Sequence, residues 1–188
     1  AGAYPLVGRR ALLLLLLPAF VALFFRDPDR EPESDGVLSP ADGRVTVLEE
    51  EDEHANDRVR LGVFMGPRNV HVNRSPVDGR VAESRHVDGG HLPAFTKSSE
   101  RNERRITRID SDGDEHEVVQ IAGTVARRVI PYVEEGDGVE RGERIGMIAF
   151  GSRVDIVLPE EYGFDDLLVS KGDKVRAGET VVARRTDQ

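Results

Sequence analysis

The pair of residues in this chain that could carry unusual chemistry is Gly151-Ser152, within the stretch from Ile148 to Asp155. A glycine followed by a serine is most often a turn, and a serine hydroxyl is a weak nucleophile until a nearby base removes its proton. Histidine is the usual base because imidazole titrates near neutral pH, and the chain holds five histidines. It has no cysteine, which excludes thiol nucleophiles, disulfides and zinc-thiolate sites.

Several short motifs accompany this pair in a fixed order. They are Ser39-Pro40-Ala41-Asp42-Gly43, Asn69-Val70-His71-Val72-Asn73-Arg74, Gln120-Ile121-Ala122-Gly123 and Ala126-Arg127-Arg128. Together with Gly151-Ser152, the ordered set resembles the short form of the phosphatidylserine decarboxylase family. The resemblance extends from Phe24 to Arg184.

The resemblance implies that the chain cuts itself. In that family the cut falls between such a glycine and serine, and the serine becomes a pyruvoyl group. Here the Ser152 hydroxyl would attack the carbonyl of Gly151 to form an ester, and loss of the α-proton of Ser152 would expel the Gly151 carboxylate. The dehydroalanine left behind hydrolyses to pyruvoyl and ammonia. The expected products are a β chain of residues 1–151 and an α chain of residues 152–188.

The resemblance also assigns a base and an acid. A histidine in an apolar run is more often structural, and the motif from Val70 to Arg74 is what favours His71 as the base. Asp42 matches the family's acidic triad member, which accepts the second ring N–H of the histidine. Longer members carry another histidine three residues after the first, where this chain has Arg74. Whether His71 serves both self-cleavage and decarboxylation therefore stays open.

The mature reaction implied by the resemblance is loss of carbon dioxide from a phospholipid serine headgroup. The pyruvoyl ketone condenses with the amine, and the adjacent amide accepts the electrons. His71 is expected to return the proton, giving an ethanolamine headgroup. No metal or pyridoxal phosphate is needed, and no motif around Lys97, Lys171 or Lys174 is typical of a pyridoxal phosphate site. The sequence does not identify the lipid tails, which would be ether-linked in an archaeal archaetidylserine.

A second group of residues lies between the histidine motif and the cleavage site. His91, Lys97, Asn102 and Arg104 resemble the family's stretch at this point and could line the site or hold the lipid phosphate. A charged, solvated loop explains the same residues equally well. The remaining histidines, which are His54, His86 and His116, stand in polar surroundings and are expected at the surface.

The charge of the chain argues against a nucleic-acid partner. The formal net charge is -9, and no sustained basic stripe is available for phosphates. Arginine far outnumbers lysine, and acidic residues are abundant. This composition is typical of proteins from salt-loving archaea, whose carboxylate surfaces stay hydrated at high ionic strength. An ordinary acidic protein from a genome that favours arginine codons is the alternative.

The segment from Ala11 to Phe25 is uncharged and rich in leucine. As a helix it would reach only ~22 Å at ~1.5 Å per residue, which is shorter than the ~30 Å hydrocarbon core of a bilayer, and Pro18 would kink it. We therefore expect one arm of a hydrophobic hairpin or an interfacial anchor, with a buried core helix as the alternative. This predicts a protein at the cell membrane, with its catalytic domain on the cytoplasmic face.

The rest of the chain predicts a mainly β fold. Short β-branched runs lie at 44–48, 59–65, 79–82, 105–109 and 117–121, separated by Gly, Pro and Asp. One short helix is considered for 125–133. Residues 1–36 form the expected anchor and linker, and residues 37–188 form the expected catalytic domain.

Two motifs repeat at a spacing of 36 residues. Ser39–Val45 recurs as Ser75–Val81, and Gly136–Glu143 recurs as Gly172–Glu179. Both resemble the hairpin turns of lipoyl and biotinyl carrier domains. They predict a β-sandwich or flattened barrel with pseudo-twofold halves. Because Asp78 occupies the same position as Asp42 in the twin turn, turn formation alone does not require catalysis.

Two other functions are compatible with parts of the pattern. A non-catalytic lipoyl-like module on a membrane anchor explains the repeats but leaves the histidine and Gly-Ser motifs without a purpose. A barrel-type metallopeptidase needs paired histidine ligands such as His-x-His, and the five histidines are not so arranged. The oligomeric state stays open, and a homodimer is compatible with the family resemblance.

Overall fold

The fold is built almost entirely from short antiparallel strands. The computed structural model describes residues 16, 18–51, 58–94, 99, 101–124, 128–148 and 151–185. Within them, the strands are β1 (Val37–Leu38), β2 (Gly43–Glu51), β3 (Arg58–Phe64), β4 (Val72–Arg74), β5 (Gly79–Val87), β6 (Arg104–Ser111), β7 (Asp114–Ile121), β8 (Val129–Pro131), β9 (Gly138–Val139), β10 (Arg144–Ile148), β11 (Arg153–Val157), β12 (Lys174–Val175) and β13 (Val181–Ala183). A 3-10 turn covers Phe164–Asp166.

Eight of these strands form one curled, half-barrel sheet in the order β12-β2-β3-β11-β7-β6-β5-β9. A second sheet has the order β4-β10-β8, and β1 pairs with β13. Alternate residues of the large sheet point inward and form the main core, which includes Val45, Leu61, Val63, Val154 and Ile156. Strand β11 lies inside the large sheet and pairs with β3 on one side and β7 on the other.

The predicted mainly β fold is confirmed. Each of the five strand-like runs named from the sequence coincides with an observed strand, which are β2, β3, β5, β6 and β7. The helix considered for 125–133 is wrong where the structure describes it, because Val129–Pro131 is a strand paired with β10. Pro131 ends a short strand readily, whereas inside a helix it would remove a backbone hydrogen bond.

The two sequence repeats meet each other crosswise. The Oδ1 atom of Asp42 accepts a hydrogen bond from the backbone N–H of Ala177 at 2.9 Å. The Oδ1 atom of Asp78 accepts one from the N–H of Arg141 at 2.8 Å. The turn at Asp42 is thus closed by residues of 172–179, and the turn at Asp78 is closed by residues of 136–143.

The same exchange recurs in the backbone. The N–H of Val45 bonds the carbonyl of Asp173, and the N–H of Val81 bonds the carbonyl of Asp137. Strand β12 pairs with β2 as β9 pairs with β5. Each residue in one copy of a repeat can therefore be compared with its counterpart 36 positions away in the other copy.

Much of the expected anchor, including residues 11–15 and 17, lies outside the described residues. Residues 18–24 are helical. In the described part of the chain, no helix has the length and apolar character needed to cross a membrane. Large apolar side chains of this segment face solvent, and they are those of Leu16, Phe20, Val21, Leu23 and Phe25.

Of the three histidines expected at the surface, one is exposed and one is buried. His86 is exposed and pairs with Asp88 at 3.1 Å. His116 is buried, which corrects the expectation, because it lies on β7 beneath the ring of Tyr162 at a centroid distance of 6.0 Å. Burial accordingly lowers the pKa of His116. His54 lies outside the described residues.

Candidate active site

Ser152 is buried directly before β11, a strand that is paired on both sides. Its carbonyl accepts a hydrogen bond from the N–H of Met65 at 3.0 Å. The next residue, Arg153, turns its guanidinium onto Asp155 with bonds of 2.7 and 2.8 Å. Since side chains alternate along a strand, Ser152 faces the opposite, core side. Its hydroxyl is buried and has no hydrogen-bond partner among the described residues.

Gly151 has a backbone conformation that glycine adopts easily. Its φ angle is +70°, in the left-handed region that other residues rarely occupy. Its carbonyl lies against the backbone of Gly123: a Cβ atom placed on Gly123 would come within 2.0 Å of the Gly151 oxygen and 2.9 Å of its carbon. Because Gly123 has no side chain, the carbonyl of Gly151 can lie in the space that a Cβ atom would occupy.

His71 is buried, with its ring stacked on that of Phe24 at a centroid distance of 4.1 Å. Burial lowers the pKa of His71. A backbone hydrogen bond with Asn69 raises the pKa, the positive charge of Arg26 lowers it, and the negative charge of Asp42 raises it. Since the net shift is downward from an ordinary value near 6.5, the imidazole is neutral at neutral pH. A neutral ring is the form that can accept a proton.

Asp42 lies beside the histidine motif and is held from three directions. Its carboxylate accepts hydrogen bonds from Arg30 at 3.2 Å, from the Val70 N–H at 3.4 Å and from the Ala177 N–H. Asp42 thus fixes the backbone directly before His71 and acts on the imidazole through its charge. Arg30, whose side chain is only 7% exposed, also bonds Glu179 at 2.8 Å.

The backbone brings His71 and the Gly-Ser pair to one region. The carbonyl of His71 accepts a hydrogen bond from Ile148 at 3.2 Å, so the histidine adjoins the end of β10. Only residues 149–150, which are outside the described part, separate Ile148 from Gly151.

Two buried amides span the space between the small and large sheets at this point. The Nε2 atom of Gln120 donates to Oδ1 of Asn73 at 2.8 Å, and Nδ2 of Asn73 lies 3.6 Å from the sulfur of Met65. Gln120 opposes Val154 in the sheet, which makes it a diagonal neighbour of Ser152. Its Oε1 atom is buried without a hydrogen-bond partner in the described structure. These groups form the polar surroundings of Ser152.

In the second group of predicted site residues, Asn102 contacts the chain next to Gly123. Asn102 is buried, and its amide bonds the N–H and carbonyl of Leu92 and the carbonyl of Ala122. It thus supports the residue directly before Gly123. His91 is half-buried beside Leu92, and Arg104 is half-buried at the start of β6. Lys97 lies outside the described residues. Binding of substrate by any of these four residues stays a prediction.

Arg74 stands where longer family members have a second histidine. Its guanidinium bonds Asp27 at 2.8 Å and the carbonyls of Pro28 and Gly142 at 3.0 and 2.9 Å. Arg74 therefore ties Asp27 and Pro28 to the turn at Gly142. No group of three or more His, Cys, Asp or Glu residues in the described part of the chain could share a metal ion.

Sequence reasoning gave no individual role to Arg30, Gly123, Asn73 or Gln120. The last three belong to the motifs quoted above, and a polar pair inside otherwise apolar strands was the available signal for Asn73 and Gln120. For Arg30 there was none, because it lies in a charged segment that reads as a linker and its partners are Asp42 and the distant Glu179.

Comparison with known proteins finds a matching family model and similar sequences. Residues 17–183 match the family model described as phosphatidylserine decarboxylase. The chain is 55% identical over 168 residues to a Halobacterium salinarum protein named "Putative archaetidylserine decarboxylase proenzyme", covering 89% of this chain and 82% of that protein. It is 51% identical over 174 residues to the "Phosphatidylserine decarboxylase proenzyme" of Thermobifida fusca, covering 93% of this chain and 77% of that protein.

We expect Gly123→Ala to slow any reaction at the Gly151 carbonyl. The added methyl group must displace that carbonyl, and a shift of about 1 Å in a reacting group can cost about a hundredfold in rate. The measurement is the rate at which the full chain divides between Gly151 and Ser152, followed by mass spectrometry.

Gly163→Ala is the matched control, since a Cβ atom there meets nothing within 4 Å and φ is -99°. Circular dichroism of both variants checks that the fold is kept. Equal rates of division for folded Gly123→Ala and wild type would contradict the importance of this contact.

Proposed function

The chain belongs to the phosphatidylserine decarboxylase family, and we propose that it removes carbon dioxide from a phospholipid serine headgroup after cutting itself at Gly151-Ser152. The observation that carries the proposal is the buried, unpartnered hydroxyl of Ser152, which follows a left-handed glycine whose carbonyl is packed on Gly123. A buried hydroxyl without a partner is costly. Its retention here is therefore best explained by chemistry at this bond.

Self-cleavage begins with transfer of a proton from the Ser152 hydroxyl to His71. The oxygen then attacks the Gly151 carbonyl carbon. The imidazolium returns its proton to the departing Ser152 nitrogen as the peptide C–N bond breaks, and an ester joins the two residues. Transfer of the Ser152 α-proton to the imidazole, which is neutral again, breaks the ester C–O bond and releases Gly151 as a carboxylate. Water then replaces nitrogen in the remaining dehydroalanine, giving ammonia and a pyruvoyl group at position 152.

His71 and Asp42 have distinct tasks in this scheme. The buried imidazole is neutral and can take the proton, and the ionised Asp42 stabilises the imidazolium that forms. Arg30 together with two backbone N–H groups keeps Asp42 in place. The cut leaves β11 paired on both sides, so position 152 stays fixed while Gly151 becomes free to leave.

The residues around position 152 fit a pyruvoyl group. When formed, this group supplies a ketone conjugated to an amide, which accepts the electrons released as carbon dioxide leaves. The Ser152 carbonyl remains bonded to Met65, which fixes the amide plane. His71 is our candidate to return a proton to the substrate carbon, and it is buried with its ring against that of Phe24. The headgroup product is ethanolamine, whichever lipid tails are attached.

We also propose that the protein works at a membrane surface. Residues 18–24 bury Phe24 against His71 while Phe20 and Phe25 remain 40% and 57% exposed. One short segment thus covers the site and presents apolar side chains outward. Such residues enter the interface of a bilayer readily, which would bring a lipid headgroup to the histidine.

Intact-mass spectrometry tests the proposed function first. We expect wild-type protein to appear as two chains split after Gly151, with residue 152 at the mass of pyruvoyl. Ser152→Ala should remain one chain of 20.8 kDa and show no decarboxylation of phosphatidylserine, because the nucleophile and the precursor of the cofactor are both lost. A wild-type chain that stays whole and inactive would refute the proposal.

The twin turns give a sharp test of Asp42. Asn can still accept the backbone hydrogen bond in either turn, so Asp42→Asn and Asp78→Asn should both keep their turns closed. Only Asp42→Asn removes the negative charge near His71, and we expect it to slow self-cleavage by about tenfold to a hundredfold. Cleavage time courses, with unfolding measured in parallel, check this. Equal rates in the two variants would remove Asp42 from the machinery.

Sedimentation with lipid vesicles tests the membrane proposal. With vesicles of phosphatidylcholine and phosphatidylglycerol, replacing Phe20 and Phe25 by Glu should reduce binding several-fold, because charged groups do not enter the apolar region. Leu168→Glu is the matched control, as Leu168 is 54% exposed in a different part of the chain. Equal loss of binding in both proteins, or no loss in either, would contradict a specific role for the 18–24 segment.

A further inference from the structure

A cleft of about 400 Å³ lies beside Asp42. Asp42 forms part of its wall, with Asn69 and Thr46 beside it. Three basic residues, which are Arg44, Lys174 and Arg176, complete the polar lining. All three are exposed, so a ligand can reach them from solvent. A basic cleft is unusual in a chain whose net charge is -9.

The internal repeat shows that the fold does not need these residues. At the equivalent positions of the twin turn, Lys174 is replaced by Gly138, Arg176 by Glu140 and Thr46 by Ala82. The strand pairing is the same in both halves. Two positive charges and a hydroxyl are thus present only in the half that contains Asp42.

The counterpart of Arg44 in the other copy of the repeat is also an arginine, Arg80. The Arg44 guanidinium donates to the carbonyl of Gly172, and Arg80 donates to the carbonyl of Gly136 in the same way. A carbonyl does not neutralise the charge of arginine. Arg44 also lines the cleft together with Lys174 and Arg176.

The acidic groups near the cleft are already paired. Arg30 bonds both Asp42 and Glu179, and Glu179 also pairs with Arg176 at 3.1 Å. Burial opposes ionisation of Glu179, but its hydrogen bonds from Arg30 and Arg176 outweigh this and lower its pKa. Lys174 makes no ion pair with any described residue. The cleft therefore offers positive charge to an incoming anion.

The cleft shares walls with the site at Ser152. Asp42 lines the cleft and also holds the Val70 N–H that precedes His71. Phe64 lines it too, and the next residue, Met65, bonds the Ser152 carbonyl. A molecule with a phosphate in the cleft would therefore have its neighbouring groups close to the reacting residues.

We propose that this cleft binds the phosphodiester of the phospholipid headgroup, with Arg44 and Lys174 as its principal contacts and Arg176 at its edge. Arginine and lysine are the side chains that bind phosphate best. In a serine phospholipid the phosphate and the amino acid belong to one headgroup, which suits adjoining sites for the two. This inference rests on the proposed function, and free phosphate is the other source of the same chemistry.

A binding experiment on the mature protein tests the cleft without turnover. The probe is glycerophosphoethanolamine, the soluble headgroup of the product, with ethanolamine as the phosphate-free reference. We expect Arg44→Gln and Lys174→Gln each to weaken binding of the probe by about 3- to 5-fold and to leave ethanolamine binding unchanged. Arg80→Gln is the matched control, because it removes the equivalent hydrogen bond and the same charge from the twin turn.

Kinetics with glycerophosphoserine, which has no lipid tails, provides the second arm. Arg44→Gln and Lys174→Gln should raise KM by the same factor and leave kcat near the wild-type value. Their self-cleavage, read by intact mass, should be complete. A rise in KM on lipid vesicles but not on glycerophosphoserine would overturn the proposal, because the two residues would then attract an anionic surface only.

Two results from the control measurements would also overturn the phosphodiester site. Equal effects of Arg44→Gln and Arg80→Gln would overturn the proposal in favour of general surface charge. Inorganic phosphate that binds through Arg44 but is not displaced by glycerophosphoethanolamine would identify a free-phosphate site instead. A wild-type protein that cuts itself but releases no carbon dioxide would defeat the proposed function, while the binding experiment would still report on the cleft.

Discussion

The hydrogen bonds that hold β11 between β3 and β7 are the constraint on which the site depends. They fix the strand on both sides from Arg153 onward, and the bond from Met65 extends the same support to Ser152. The buried pair of Arg153 and Asp155 then sets which face each side chain occupies. In the proposed self-cleavage, the attacking hydroxyl of Ser152 is thereby held in place by a part of the fold that takes no part in the chemistry.

The second organising feature is a duplicated turn that has been used in two ways. Around Asp78 the turn does nothing more than accept a backbone N–H and close a hairpin. Around Asp42 the identical bond is kept, and Arg30 and the Val70 N–H are added. Both turns thus share the hydrogen bond that closes them. The proposed role of Asp42 depends on the contacts that only its own turn has.

Much of this arrangement could be predicted from sequence, and the reasons for the exceptions are physical. Alternating apolar residues and Asp-Gly turns are local signals, so strands such as β2 and β7 were found without a structure. The resemblance to a known family supplied Ser152, His71 and Asp42. Arg30 was missed because its partners lie 12 and 149 residues away, and burial of His116 depends on a cover from Tyr162 that no local pattern reveals.

The strands that follow position 152 all pair with strands that precede it. Residues after that position supply β11, β12 and β13, and each pairs with a strand that precedes it, namely β3 and β7, β2, and β1. Under the proposed self-cleavage, folding is unimolecular before the cut. After the cut, two chains of unequal length would have to find each other in solution, so refolding would depend on concentration. The useful lifetime of the cut molecule would then be set by the rate of unfolding rather than by the free energy of unfolding.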